Sequence, residues 1–246
     1  MKRIALAIVA TVILSNALTA FGADWAQFRG PNRDGKSGEK GLLKSWPAGG
    51  PKVLWTSDVK LGDGFSSVSI VKDAIYTTGV IDGQETMFAL GLDGKLKWKT
   101  PYGPAFSRFP TASRTTPTVD GGNLYVMSSM GKVGCFRAAD GKEKWSVDTV
   151  EKFGAKKKIN WGVAESILII GDMAICTPGG PDATMVALNK LTGATMWRTK
   201  GLSDRSAYCS PILIKDAKKN LIVTMTESNV IGVSPDSGKV LWKFPY

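Results

Sequence analysis

Four times along this chain a turn glycine is followed, four residues later, by a tryptophan. The copies read ALGLDGKLKW (89–98), FRAADGKEKW (136–145), ALNKLTGATMW (187–197) and GVSPDSGKVLW (232–242). Successive tryptophans lie 47, 52 and 45 residues apart, and Trp55 in GPKVLW (50–55) lies 43 before the first. A period of this length restricts the fold severely. Each unit is one supersecondary element that cannot bury its apolar face alone and must stack on its neighbours.

Each unit also opens alike. SSVSIVKDAIYTTG (66–79), TTPTVDGGNLYVMS (115–128), ESILIIGDMAICTPG (165–179) and CSPILIKDAKKNLIVTMT (209–226) each pair two β-branched runs across a polar turn, which is a hairpin signal. A third run, such as GKVGCFRA (131–138), precedes the glycine turn, and the residues through Trp start a fourth. Four short strands in every unit, with no useful helical period, predict an all-β chain of β-propeller blades. The blades are expected at about 56–102, 103–149, 150–201 and 202–246, after a lead-in segment and outer strand over 24–55. Gly94, Gly141, Gly193 and Gly238 are expected to close the last hairpin tightly, and Trp98, Trp145, Trp197 and Trp242 to dock between blades.

Counting strands leaves the ring open. Outer strands are expected at Trp55, Trp98, Trp145, Trp197 and Trp242, but only four sets of three inner strands exist. The sequence therefore predicts an open arc, a fragment of a ring of about seven or eight blades.

Composition narrows the function. Lys2 and Arg3 followed by IALAIVATVIL (4–14) and small residues near Ala23 predict a secretory signal over 1–23, and hence a periplasmic or secreted protein without a membrane span. Removing that segment lowers the net charge from +11 to +9. The basic residues are scattered through turns, with KKK (156–158) the one short run, so nucleic acid is not the expected partner. The three cysteines, Cys135, Cys176 and Cys209, fall in apolar runs and read as buried thiols. The chain has no histidine, which excludes Ser-His-Asp and Cys-His sites, His-ligated zinc and His-ligated haem.

The A-x-x-x-x-[DT]-G-x-x-x-W phrase resembles the tryptophan-docking repeat of pyrroloquinoline-quinone (PQQ) type propellers. The segment DWAQFRGPNRDGKSGEKGLLKSWPAGGPKVLW (24–55) resembles the opening of bacterial exported PQQ-like repeat proteins, and the likeness runs over essentially all the chain after the signal. Two kinds of function follow from this resemblance. One is a non-catalytic binding or assembly scaffold with a protein or glycan partner in the cell envelope and no cofactor. The resembling scaffold family is typically lipid-anchored, and this chain lacks the cysteine for that. The other is a PQQ-dependent dehydrogenase, implying PQQ with Ca²⁺ and a catalytic Asp; this chain lacks the adjacent cysteine pair of many such enzymes. The scaffold is the expected reading, with an exported glycan-binding propeller as a further alternative. Alignment of the repeats puts Ser67, Thr116, Ser166 and Ser210 at one position of the innermost strand, and the variable residues around them face the expected central funnel. Arg108, Arg114, Trp161, Glu165, Arg205 and Tyr208 are the funnel candidates. Of these, Arg114, Trp161 and Glu165 are the candidate cofactor-binding residues, with Glu165 and Asn160 as oxygen donors.

Overall fold

The computed structural model describes residues 22–106, 108, 111–155, 160–181, 183–216 and 219–246. The predicted signal segment up to residue 21 and the KKK run lie outside the described residues. No helix among the described residues is long and apolar enough to cross a membrane.

The described chain folds into four sheets of four antiparallel strands, each a meander in chain order. Blade 1 holds β1 (Ser69–Val71), β2 (Ala74–Ile81), β3 (Gln84–Gly91) and β4 (Leu96–Pro104). Blade 2 holds β5 (Thr118–Asp120), β6 (Asn123–Met127), β7 (Lys132–Arg137) and β8 (Glu143–Asp148). Blade 3 holds β9 (Leu168–Ile170), β10 (Met173–Cys176), β11 (Val186–Asn189) and β12 (Thr195–Arg198). Blade 4 holds β13 (Ile212–Lys215), β14 (Asn220–Met225), β15 (Asn229–Val233) and β16 (Val240–Pro245). One short helix, α1 (Thr149–Phe153), follows blade 2. Periodicity gave no sign of it, because its signal is a pair of caps: Asp148 accepts from the amides of Val150 and Glu151, and Gly154 closes it in the left-handed region.

Register makes the blades equivalent. Cross-strand columns run Ser69–Tyr76–Ala89–Trp98, Thr118–Tyr125–Cys135–Trp145, Leu168–Ile175–Ala187–Trp197 and Ile212–Val223–Gly232–Trp242. The register slips beside the tryptophan in every blade, at Ala89/Leu90, Cys135/Phe136, Ala187/Leu188 and Gly232/Val233. A bulge at this place bends the outer strand and increases its twist.

Each of the first three columns faces the next blade. Tyr76, Met87 and Ala89 pack on Leu124, Val126 and Phe136. Tyr125 and Cys135 pack on Ala174 and Leu188. Ile175, Met185 and Ala187 pack on Ile222, Ile231 and Val233. At each junction the indole lies across the turn glycine of the following blade. A Cβ on Gly141 would meet Trp98 Cε3 at 2.6 Å, one on Gly193 would meet Trp145 Cε3 at 2.8 Å, and one on Gly238 would clash with Trp197 Cε3. The ring nitrogen then donates to a carbonyl in that same turn: Trp98 to Ala138 at 3.0 Å, Trp145 to Lys190 at 3.0 Å and Trp197 to Pro235 at 2.8 Å.

The arc has two different ends. At the first blade Trp55 lies over Gly94 as if a blade preceded it, with a Cβ there 2.7 Å from Trp55 Cε3. No strand forms around Trp55, because no inner strands stand beside it, and Val53 and Leu54 are exposed. At the last blade the face that its three predecessors turn to a successor is bare. Trp242 is 41% and Phe244 66% exposed there, beside exposed Ile212, Ile214 and Met225.

Candidate functional site

The innermost strands converge on an axis, and the equivalent hydroxyls found by aligning the repeats tie the blades together there. The Ser67 amide donates to Thr116 Oγ1 at 3.0 Å, the Thr116 amide to Ser166 Oγ at 3.1 Å, and the Ser166 amide to Ser210 Oγ at 2.9 Å. One bond per junction satisfies backbone amides that have no ladder partner on the inner edge. These four positions are therefore circumferential clasps.

The centre of the arc is filled from outside the repeats. Trp25 pairs with Ile70 through both backbone bonds, 2.8 and 2.9 Å, and the Val119 amide donates to Ala26 O at 2.8 Å. That course lays the lead-in segment along the inner edges of blades 1 and 2. The chain then turns through Arg29 and Gly30, and Arg33, at φ 57°, points its side chain into the axis. Arg33 is only 5% exposed. Its Nε donates to Gln27 Oε1 at 2.8 Å, and Nη1 donates to the carbonyls of Ser166 at 3.0 Å and Pro211 at 2.9 Å. Nη2 donates to Ile167 O and, at 3.5 Å, to Thr118 Oγ1. One guanidinium thus joins blades 2, 3 and 4, a geometry that only a planar five-donor fork can supply. Burial lowers its pKa to about 10, and nearby Glu165 opposes that shift. The repeats gave no sign of Arg33, because it lies in a turn-rich segment that no repeat copies. FRGPNRDG, with two glycines and a proline around two arginines, was the only local signal.

The predicted funnel residues are dispersed. Glu165 is fully buried, and both carboxylate oxygens accept the Thr177 amide, at 2.9 and 3.0 Å. Burial raises its pKa to about 8, against the lowering pull of that amide and of Arg33. Asn160 lies apart from that carboxylate, lining a rim cavity with Arg205, Tyr208, Glu227 and Tyr246. Arg205 is engaged with Glu227 through its amide at 2.9 Å and through Nε. Trp161 is 55% exposed; its amide donates to Tyr208 Oη at 3.2 Å and its ring lies 5.3 Å from that of Tyr208. Arg114 sits with its guanidinium 5.8 Å from the Phe65 ring centroid and 5.4 Å from that of Phe106. Arg108 is exposed. Arg114 and Tyr208 both line a cavity of about 220 Å³, together with Phe28, Arg29 and Arg33. Trp161 and Glu165 do not line it.

The donor set does not suit a Ca²⁺–quinone site. Calcium takes six to eight oxygens, whereas Glu165 faces a backbone amide, and no three His, Cys, Asp or Glu side chains come together among the described residues. A second buried carboxylate, Glu85, is also taken, by the Ser129 amide at 3.0 Å. Burial raises the Glu85 pKa to about 7.

Comparison with known proteins agrees with the architecture. The chain is 26% identical over 220 residues to the outer membrane protein assembly factor BamB of Burkholderia pseudomallei, covering 85% of this chain and 52% of that protein. It is 27% identical over 164 residues to a quinoprotein ethanol dehydrogenase of Pseudomonas aeruginosa, covering 61% of this chain and 25% of that enzyme. The chain thus spans about half the length, or less, of these curated relatives. Among solved structures, the quinohemoprotein alcohol dehydrogenase of Comamonas testosteroni superposes with a TM-score of 0.52 at 16% identity, over 73% of this chain and 35% of that one, a likeness of fold alone. Residues 93–245, more than half of the chain, match the family described as outer membrane protein assembly factor BamB, and with its docked tryptophan blades the chain belongs to that family of PQQ-like repeat propellers.

Proposed function

We propose that this chain is a non-catalytic propeller scaffold of the cell envelope, holding a protein partner on its outer surfaces. The observation that carries the reading is Arg33. The axis where a propeller would hold a cofactor is occupied by the chain's own guanidinium, saturated by carbonyls of Ser166, Ile167 and Pro211. Glu165, the buried carboxylate coupled to it, is turned to the Thr177 backbone amide rather than to a cavity. Similarity to BamB, named as an outer membrane protein assembly factor, supports an assembly role in the cell envelope. Titration calorimetry with PQQ and Ca²⁺ tests it. No saturable heat is expected; one-to-one binding, with alcohol-dependent reduction of an artificial electron acceptor, would overturn the reading in favour of a dehydrogenase.

The rim supports a glycan-binding alternative. Phe65, Trp161 and Tyr208 all present exposed rings near the funnel mouth. Quenching of Trp161 fluorescence by a soluble oligosaccharide, lost in Trp161→Ala, would favour that reading over a protein partner.

A further inference from the structure

The outer groove between blades 3 and 4 carries more positive charge than the equivalent positions at the other two junctions. A cavity of about 720 Å³ opens there between β12 and β16. Its walls carry Arg198, Lys200, Lys239 and Lys243, its floor includes Leu202 and Trp242, and no acidic side chain lines it. All four cations are exposed, and none forms an ion pair with a described residue.

Repeat equivalence shows that the fold does not require this. The four cations stand one and three residues after the docking tryptophan of blade 3, one after the turn glycine of blade 4, and one after its tryptophan. The same places at the junction of blades 1 and 2 hold Lys99, Pro101, Lys142 and Ser146. At the junction of blades 2 and 3 they hold Ser146, Asp148, Ala194 and Arg198. The net charge of the set is therefore +4 at the last junction, against +2 and 0 at the others. Like charges gathered in one recess repel, so the concentration has a cost that a bound anion would offset.

The shape of the site selects among anions. It is a recess between two outer strands rather than a flat face, which fits an extended chain better than a membrane surface. Both β12 and β16 are sheet edges, so their outer backbone groups are free of ladder partners. The floor offers apolar contact beside the charges. A peptide meets all three features at once: backbone for an edge, carboxylates for the cations and apolar side chains for the floor.

We infer that the groove between blades 3 and 4 is a docking site for an extended acidic peptide segment of a partner protein. The inference deepens the scaffold reading by giving the partner a chemistry, and it rests on that reading. Cofactor binding at the axis would sink the scaffold without touching groove binding, and a silent groove would leave the axis result standing.

The test is fluorescence anisotropy of a fluorescein-labelled peptide of alternating Glu and Leu, titrated with the whole chain. Saturable binding that weakens as NaCl is raised is expected, because rim charges are screened within about 10 Å at 0.1 M salt. Arg198→Glu with Lys243→Glu should weaken it about tenfold or more, while Lys99→Glu with Lys142→Glu, the same charge change at the first junction, should stay within about twofold. Arg198→Lys with Lys243→Arg should retain binding. Thermal melts of each variant establish that they fold. Equal loss in both charge-reversed pairs would show diffuse attraction to a basic protein and overturn the site. So would absence of binding by the unmodified chain. Binding to phosphatidylglycerol vesicles that depends on Arg198 and Lys243, without peptide binding, would replace the peptide by a lipid surface and overturn it equally.

Discussion

The indole of Trp145 lies across Gly193 of the following blade, and its Nε1 donates to the carbonyl of Lys190, three residues before that glycine, at 3.0 Å. One side chain thus reads two properties of its neighbour's turn: a missing Cβ and an exposed carbonyl. Trp98 and Trp197 repeat the arrangement on Gly141 and Gly238.

Trp145→Ala should therefore cost about 3–5 kcal/mol, with Trp145→Phe recovering only part of it, because the smaller ring loses packing as well as a hydrogen bond that contributes about 1 kcal/mol. Urea unfolding followed by circular dichroism measures both. A Trp145→Ala protein of unchanged midpoint would show that the junction is not held this way.

Gly193→Ala tests the other half of the contact. The new Cβ would sit 2.8 Å from the indole, at a backbone φ of 73° that L side chains rarely adopt. A loss of about 1–3 kcal/mol is expected. Gly171→Ala, also at positive φ but with open space around it, should lose only the backbone part. The difference between the two melts isolates the steric contribution of the ring.

Arg33→Met should destabilise the chain by about 3 kcal/mol or more, because it leaves buried carbonyls of Ser166, Ile167 and Pro211 without a donor. Arg33→Lys should not restore stability, since an ammonium cannot present the planar fork. Rescue by lysine in a thermal melt would mean that charge alone matters at the axis.

Stability should fall as pH rises from about 5 to about 8. Burial raises Glu85 to about 7 and Glu165 to about 8, from 4.5 for each. In that window the folded chain keeps protons that the unfolded chain has lost, so unfolding is favoured as pH climbs, and the effect levels off above the folded values. Glu165→Gln keeps an acceptor for the Thr177 amide and has no proton to lose. Its Tm should vary less with pH than that of the unmodified chain, and an identical pH profile would remove Glu165 from the account.

The bare face of blade 4 should make the 246-residue chain self-associate. Ile214→Lys and Phe244→Lys place charge on exposed apolar positions, so they should reduce light scattering at high concentration without lowering the melting temperature. Unchanged scattering would locate the association elsewhere.

The alternating β-branched runs, the turn dipeptides and the Gly-x-x-x-Trp phrase determined the blades by themselves, because strand period and turn chemistry are local. Equivalent positions in the repeats also located the hydroxyl clasps. Their role as bonds between blades was not legible, since a repeat shows that residues correspond and not that they touch. Helix α1 rests on two caps over one turn, too short for any periodicity to register.

The centre was decided only in three dimensions. Glu165 looked like a ligand because it varies where other repeats carry something else. Folding buries it and turns its oxygens to Thr177. Arg33 looked like one more charge in a loop until the lead-in segment crossed the inner strands and placed it within reach of carbonyls more than 130 residues further along the chain. The cationic groove followed the same rule. Arg198 in β12 and Lys200 just after it meet Lys239 just before β16 and Lys243 in it, and only the stacking of one blade on the next makes the two pairs neighbours.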